Sequence, residues 1–329
     1  MRAAVVKTPG PAESLEIVDV PDPVPAQGEL SIDVEFAGVG FVDTLFRAGV
    51  FALPTPFVPG IEVSGRVREV GAGVTGFAVG QPVGALLNDF GRGPRAGGYA
   101  EIAVAHASMA VPLPEGADLA GVAGVLVNGV TAWMALHDLA RLGVDDDVLV
   151  LGASGGLGNT ISRLAAVRPA RRVIGVVGSE ARRASAAEEC TDVIVAADLA
   201  AAVDELTDGR GVDVVVDPVG GELRTRAFER LAPFGRLLVL GNASGRDPAL
   251  SGDAVWHGTR QLIGLSLGTV AHLVPEQVQT AISAVVGSTH RGVLREPAPS
   301  VVPLEDVAGV HRALENRSAP PKTVLAVGR

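Results

Sequence analysis

The stretch Val148-Leu149-Val150-Leu151-Gly152-Ala153-Ser154-Gly155-Gly156-Leu157-Gly158 sets four apolar residues before a run of glycines and then passes into a helical pattern over residues 156–168. A strand that is apolar at every position suits a parallel sheet covered on both faces. Glycines at its end permit a tight turn and a close backbone approach. The free N–H groups and positive dipole end of the following helix stabilise a pyrophosphate there. The weight of the motif lies in its setting, since strand, turn, helix and second strand follow in order. That order predicts a dinucleotide held by Gly152, Ser154, Gly155, Gly156 and Leu157. A tight turn without ligand is the plainer alternative.

Downstream, apolar strand candidates at 172–178, 192–196, 212–219 and 235–241 alternate with helix candidates at 180–190, 199–208 and 222–232. The alternation predicts a doubly wound parallel sheet. Upstream the texture differs: short alternating runs at 30–36, 63–70 and 98–104, broken by Pro and Gly, read as an antiparallel β domain. Between the two regions residues 117–142 read as helix, and a helix at 304–314 with a strand at 323–327 is expected to return to the first domain. A further strand is expected at 261–268. The expected division is 1–122, completed by 270–329, and 123–269.

A length of 329 residues exceeds the roughly 250–300 at which single cores stop growing, which fits two domains. With 47% hydrophobic and 19% charged residues the chain buries a large core, and the net charge of -10 speaks against nucleic acid or an anionic membrane as partner. No apolar run of about 20 residues is expected to span a bilayer. Cys190 is the only cysteine, so an intramolecular disulfide and a multi-thiolate zinc site are excluded. With no signal-like start, a cytoplasmic location is expected.

The second strand ends at Val177-Gly178-Ser179 without the acid that would select an unphosphorylated ribose. Glu180 reads as the first-turn acid of a helix capped by Ser179. Ser179 with Arg182 is the candidate reader of a 2′-phosphate, while Arg183 fits a solvated helix face equally well. The six histidines show no metal spacing, and Asp145-Asp146-Asp147 reads as a solvated turn.

Several blocks together resemble the medium-chain dehydrogenase/reductase superfamily: Pro59-Gly60-Ile61-Glu62-Val63-Ser64-Gly65, Gly97-Gly98-Tyr99-Ala100-Glu101, Thr131-Ala132-Trp133, the glycine turn, and Asp217-Pro218-Val219-Gly220-Gly221. The resemblance implies an α/β protein with a GroES-like, β-rich catalytic domain and a Rossmann domain, and it is nearest to the zinc-free quinone oxidoreductase (zeta-crystallin-like) branch. Ile61 and Phe41 stand where zinc-dependent relatives carry His and Cys. Asp43, Arg47 and Gly49 of that branch's loop are kept, whereas Gly40 and Phe51 replace its Asn and Tyr.

By resemblance the cofactor is NADPH, and Asp43, Arg47 and Thr131 are the catalytic candidates. Gly40, Asn128, Thr131, Val219, Leu240, Gly241, Asn242, Arg317 and Lys322 join the glycine turn, Ser179 and Arg182 around the cofactor. For Thr131, plain helix packing is an equal alternative. Glu62 is expected to close a buried structural contact. The expected reaction is zinc-independent hydride transfer to a quinone or other electron-poor hydrophobic enone. Reduction of an enoyl thioester, with Tyr99 as proton donor, and a non-catalytic dinucleotide-binding sensor are the alternatives. A small hydrophobic substrate and a homodimer paired through 261–268 are the expected partners.

Overall fold

The structure, a computed structural model, describes residues 1–51, 53–87 and 97–328. The chain opens with β1 (Arg2–Val6) paired antiparallel to β2 (Leu15–Asp19). There follow β3 (Glu29–Val39), α1 (Phe41–Arg47), β4 (Glu62–Val70), β5 (Pro82–Leu86), β6 (Ile102–His106) and β7 (Ala110–Pro112). The segment 38–51, expected as a loop, thus holds a helix whose first turn carries Asp43. Gly98–Glu101, expected as the start of a strand, precedes β6. Long α2 (Leu119–Trp133) comes next and continues as a π-helical stretch Met134–Leu139. By length and composition Leu119–Leu139 could cross a bilayer, contrary to expectation, but it is mostly buried as a core helix.

The second region runs β8 (Asp147–Leu151), α3 (Gly156–Val167), β9 (Arg172–Val177), β10 (Asp192–Val195), α4 (Leu199–Leu206), β11 (Val212–Asp217), α5 (Gly221–Glu229), β12 (Leu231–Val239), α6 (Gly252–His257) and β13 (Gln261–Gly264). Its sheet has the order β10-β9-β8-β11-β12-β13, parallel throughout. This is the doubly wound arrangement, with the order reversing between β8 and β11. β8 is wholly buried because helices cover both faces, and α3 turns Ile161, Leu164 and Ala165 inward at helical spacing. Leu149, Ile174, Val215, Phe228 and Leu237 meet in one core cluster.

The expected helix 180–190 is only a 3-10 turn, Glu180–Ser185. Ser179 makes no capping bond, Ala181, Ala184 and Ser185 are exposed, and a segment with no face to bury does not sustain an α-helix. The expected strand 261–268 stops at Gly264, where Leu265 and Leu267 turn into the core. The aspartates at 145–147 are more than a solvated turn: Asp147 is buried between Arg171 and Arg210, and Asp146 pairs with Arg236.

The chain then adds α7 (Leu267–Val270), α8 (Pro275–His290), β14 (Ser300–Pro303), α9 (Val307–Glu315) and β15 (Thr323–Ala326). β15 pairs with β3 in a seven-stranded sheet ordered β14-β15-β3-β4-β5-β7, with β6 also on β3. Two compact units result: Met1–Val127 with Gly268–Gly292 and Glu296–Arg329, and Asn128–Leu267 with Val293–Arg295.

Candidate functional site

In the second unit the glycine turn leaves β8 with Gly152 at φ +68° and enters α3 through Gly155. A Cβ on Gly158 would lie 2.2 Å from the Gly152 carbonyl oxygen, so the helix can approach the strand this closely only as bare backbone. The N–H groups of Gly156, Leu157 and Gly158 have no acceptor within the helix and stand at its positive end. Asn159, absent from the sequence reading, fastens the turn: its amide donates to the carbonyls of Ala153 and Ser185, both at 2.9 Å. Backbone donors, a helix start and a cradle that side chains would fill together fit the pyrophosphate of a dinucleotide.

Across the point of order reversal, the turn after β11 borders the first. A Cβ on Gly152 would come within 2.9 Å of Val219 Cγ2. Asp217 is fully buried, and its Oδ1 accepts the N–H groups of Val219 at 2.7 Å and Gly220 at 2.8 Å. Its other oxygen meets Arg224, which also donates to the Gly241 carbonyl and to Asp247. Gly152, Val219, Gly241 and Asn242 are thereby brought to neighbouring loops at the ends of β8, β11 and β12, with Leu240 bonded through its N–H to Asp217 O at 2.9 Å. Sequence reasoning missed Arg224; the Asp-x6-Arg spacing on a strand-turn-helix was the available signal.

At the end of β9 Ser179 is exposed, as the candidate role requires, and Arg182 is half-buried. Arg183 is committed to Glu180 and to the Val193 carbonyl. Thr131 is buried and Asn128 half-buried, three residues apart on α2.

The first unit gathers a different set. Asp43 is fully buried at the start of α1, with its carboxylate accepting from Gly40 N at 2.8 Å and Gly60 N at 3.2 Å. Burial pushes its pKa up to about 6; the Gly40 N–H opposes this, the Glu62 charge adds to it, and Lys322 and Tyr99 oppose it. Tyr99, considered as a proton donor, is fully buried with its hydroxyl 3.3 Å from His311 Nε2, and burial beside Asp43 drives its pKa well up. Burial, with the Arg47 charge, pushes His311 down to about 3. Arg47, wholly buried, pairs with Glu315. The catalytic candidates Asp43 and Arg47 thus lie buried on α1, tied to Gly40, Gly60 and Glu315.

Lys322, expected near a cofactor phosphate, has its ammonium bound to Glu62 and to the Val39 carbonyl. The other Glu62 oxygen accepts Val127 N at 2.6 Å, the buried closure expected of it. Arg317 is exposed beyond the end of α9.

The fold and these turns define a two-domain α/β oxidoreductase, and comparison with known proteins agrees. The profile of the alcohol dehydrogenase GroES-like domain matches residues 26–115 and that of the zinc-binding dehydrogenases residues 156–286. A 2-haloacrylate reductase from a Burkholderia species is 29% identical, covering 98% of both chains. A mycocerosic acid synthase-like polyketide synthase of Mycobacterium tuberculosis is 28% identical over 98% of this chain, which spans only 15% of that protein. Among solved structures, a mycobacterial quinone oxidoreductase superposes with TM-score 0.87 at 30% identity, over 99% of each chain. The Escherichia coli quinone oxidoreductase complexed with NADPH gives TM-score 0.89 at 25% identity, over 99% of this chain and 100% of that one. The chain belongs to the medium-chain dehydrogenase/reductase superfamily, in its quinone oxidoreductase-like branch.

Proposed function

We propose that the chain transfers a hydride from NADPH to an electron-poor hydrophobic acceptor, a quinone or an α,β-unsaturated carbonyl compound, without zinc. The observation that carries this is the bare-backbone turn Gly152–Gly158 at the order reversal of the sheet, bordered by the turn that Asp217 holds. NADPH supplies the hydride; the chain binds the pyrophosphate and orients the dinucleotide. Alignment alone can lower a barrier by roughly 7–11 kcal/mol. A reduced quinone takes its proton from water, which suits a chain whose Asp43 and Tyr99 are sealed inside. Ile61 and Phe41 offer zinc no ligand, and among the described residues no three His, Cys, Asp or Glu cluster around a metal position.

The similarity to a 2-haloacrylate reductase and to polyketide synthases favours a second reading, reduction of a conjugated C=C in an acid or thioester. NADPH consumption over a panel of quinones, enones and enoyl thioesters, with and without a chelator, separates the two. No turnover with any acceptor would leave only a dinucleotide sensor.

As partner we propose a second copy. β13 is an edge strand with exposed Leu262, and Trp256 and Phe234, 71% and 73% exposed, lie in the adjoining segments. Light scattering at micromolar concentration should give the mass of a dimer; a monomer removes the idea.

A further inference from the structure

Arg224 on α5 is buried and reaches three acceptors from different parts of the second unit: Nε to Asp217 Oδ2 at 2.5 Å, Nη2 to the Gly241 carbonyl at 2.8 Å, and Nη1 to the Asp247 carboxylate. The same Asp217 holds Val219 and Gly220, so one guanidinium joins the turn after β11 to the loop after β12. Backbone bonds lace the two further, from Ser244 N to Val219 O at 2.8 Å and from Gly221 N to Arg246 O at 2.9 Å. Gly220, at φ +76°, is pressed into this junction: a Cβ there would lie 2.4 Å from Asn242 Oδ1 and 3.1 Å from Arg224 Nη2.

In a doubly wound sheet the adenosine ribose lies at the end of the second strand and the pyrophosphate at the turn after the first. With Ser179 ending β9 and the glycine turn ending β8, the other half of the dinucleotide falls toward β11 and β12, against the wall that Arg224 ties together. We propose that Arg224 is a positioning residue, clamping residues 217–221 to 241–247 so that the hydride-bearing end is held in register while the glycine turn supplies most of the affinity. The inference rests on the NADPH reading. A misplacement of about 1 Å can cost on the order of a hundredfold in rate, so loss of the clamp should appear in kcat more than in binding.

The test compares wild type, Arg224→Ala and Asp247→Asn, the last at a carboxylate 71% exposed whose change leaves the buried pair intact. Backbone hydrogen exchange is followed in the cofactor-free protein, NADPH affinity by fluorescence titration, and kcat with 1,4-benzoquinone. In Arg224→Ala, residues 218–221 and 240–247 should lose protection together, the Kd for NADPH should stay within about threefold, and kcat should fall about 10- to 100-fold. Millimolar guanidinium ion should restore part of kcat, and Asp247→Asn should show the same pattern more weakly. Unchanged exchange, an unchanged kcat, or protection lost throughout the unit with no rescue would overturn the clamp. If Arg224→Ala does not fold, Asp247→Asn decides, and wild-type kcat and exchange in it overturn the proposal. Wild type that fails to bind NADPH overturns the functional reading itself; wild type that binds and turns over, with Arg224→Ala equal to it, overturns only the clamp.

Discussion

In the first unit the buried carboxylate of Asp43 is met by two backbone N–H groups and a tyrosine hydroxyl, whereas in the second the equally buried Asp217 is met by two backbone N–H groups and the guanidinium of Arg224. The difference is one formal charge, and it sorts the two sites by what they tolerate. Neutral donors offset burial only in part, so Asp43 titrates near pH 6. A guanidinium keeps its proton throughout the working range, so removing Asp217 strands a buried cation.

One substitution type therefore should give unequal losses in the two units. Asp217→Asn leaves Arg224 buried without its main counter-charge and should cost about 3–5 kcal/mol. Asp43→Asn removes the charge but keeps only one of the two oxygens that accept from Gly40 and Gly60, so at pH 7.5 it should cost about 1–3 kcal/mol, less than Asp217→Asn. Guanidinium denaturation midpoints measure both. Equal losses would show that charge matching is not what separates the units.

The pH dependence sharpens the contrast within the first unit. The pKa of Asp43 is raised from 3.8 to about 6, so its contribution to stability is complete below pH 3.8 and is lost as pH rises through 6. His311 is lowered from 6.5 to about 3, so its contribution is present above pH 6.5 and is lost as pH falls toward 3. The two oppose each other between pH 4 and 6, beside the fixed charge of Arg47 and the Glu62–Lys322 pair. Asp43→Asn should make stability climb more steeply with pH in that window, and His311→Gln should make it fall, each by up to about 1.4 kcal/mol per pH unit. Parallel profiles for both variants and wild type would remove the opposition.

In the second unit the two neighbouring arginines should separate function from structure. Arg183 is spent on Glu180 and the Val193 carbonyl, so Arg183→Ala should lower stability and leave cofactor choice alone. Arg182→Ala should raise KM for NADPH about tenfold, the scale of one charge-assisted hydrogen bond, with NADH little affected. Equal changes with both cofactors would mean that Arg182 does not read the 2′-phosphate.

Legibility in the sequence followed the range of the interactions. β8 and the glycine turn were readable because local pattern alone dictates them: apolar residues at every strand position and glycine where Gly158 meets Gly152. α8 was not expected, although Val278, Ala281, Ile282 and Val285 repeat at helical spacing. Helix 180–190 is the converse case: its composition suits a helix, but Glu180–Ser185 bury no residue. The charged groups were hardest. That Lys322 answers Glu62 and that His311 sits on Tyr99 depends on chain crossings of 260 and 212 residues, which no spacing encodes, whereas Arg224 answers Asp217 within one strand-turn-helix.

The smallest expected effect tests the acceptor. Gly40 caps α1 at φ -115° and ψ 158°, so its glycine is not demanded by a left-handed backbone. A Cβ there would make only ordinary contacts, 3.5 Å to Asp43 Oδ2 and 3.7 Å to Val42 Cγ1, which leaves room for a side chain. Asn is a favoured capping residue, so Gly40→Asn should fold and shift stability by only a few tenths of a kcal/mol upward. Its bearing on function comes from what glycine leaves out, an amide that would both narrow the space beside α1 and orient a small polar acceptor; the nearby Phe51, packed on Phe46 with ring centroids 5.4 Å apart, adds an apolar face and no hydroxyl. Each such hydrogen bond is worth roughly 0.5–1.5 kcal/mol net, so Gly40→Asn should move the ratio of kcat/KM for a one-ring over a bulky fused-ring quinone by up to about tenfold toward the smaller. If the variant folds as well as wild type and the ratio stays put, Gly40 serves only the start of α1, and acceptor size is set elsewhere.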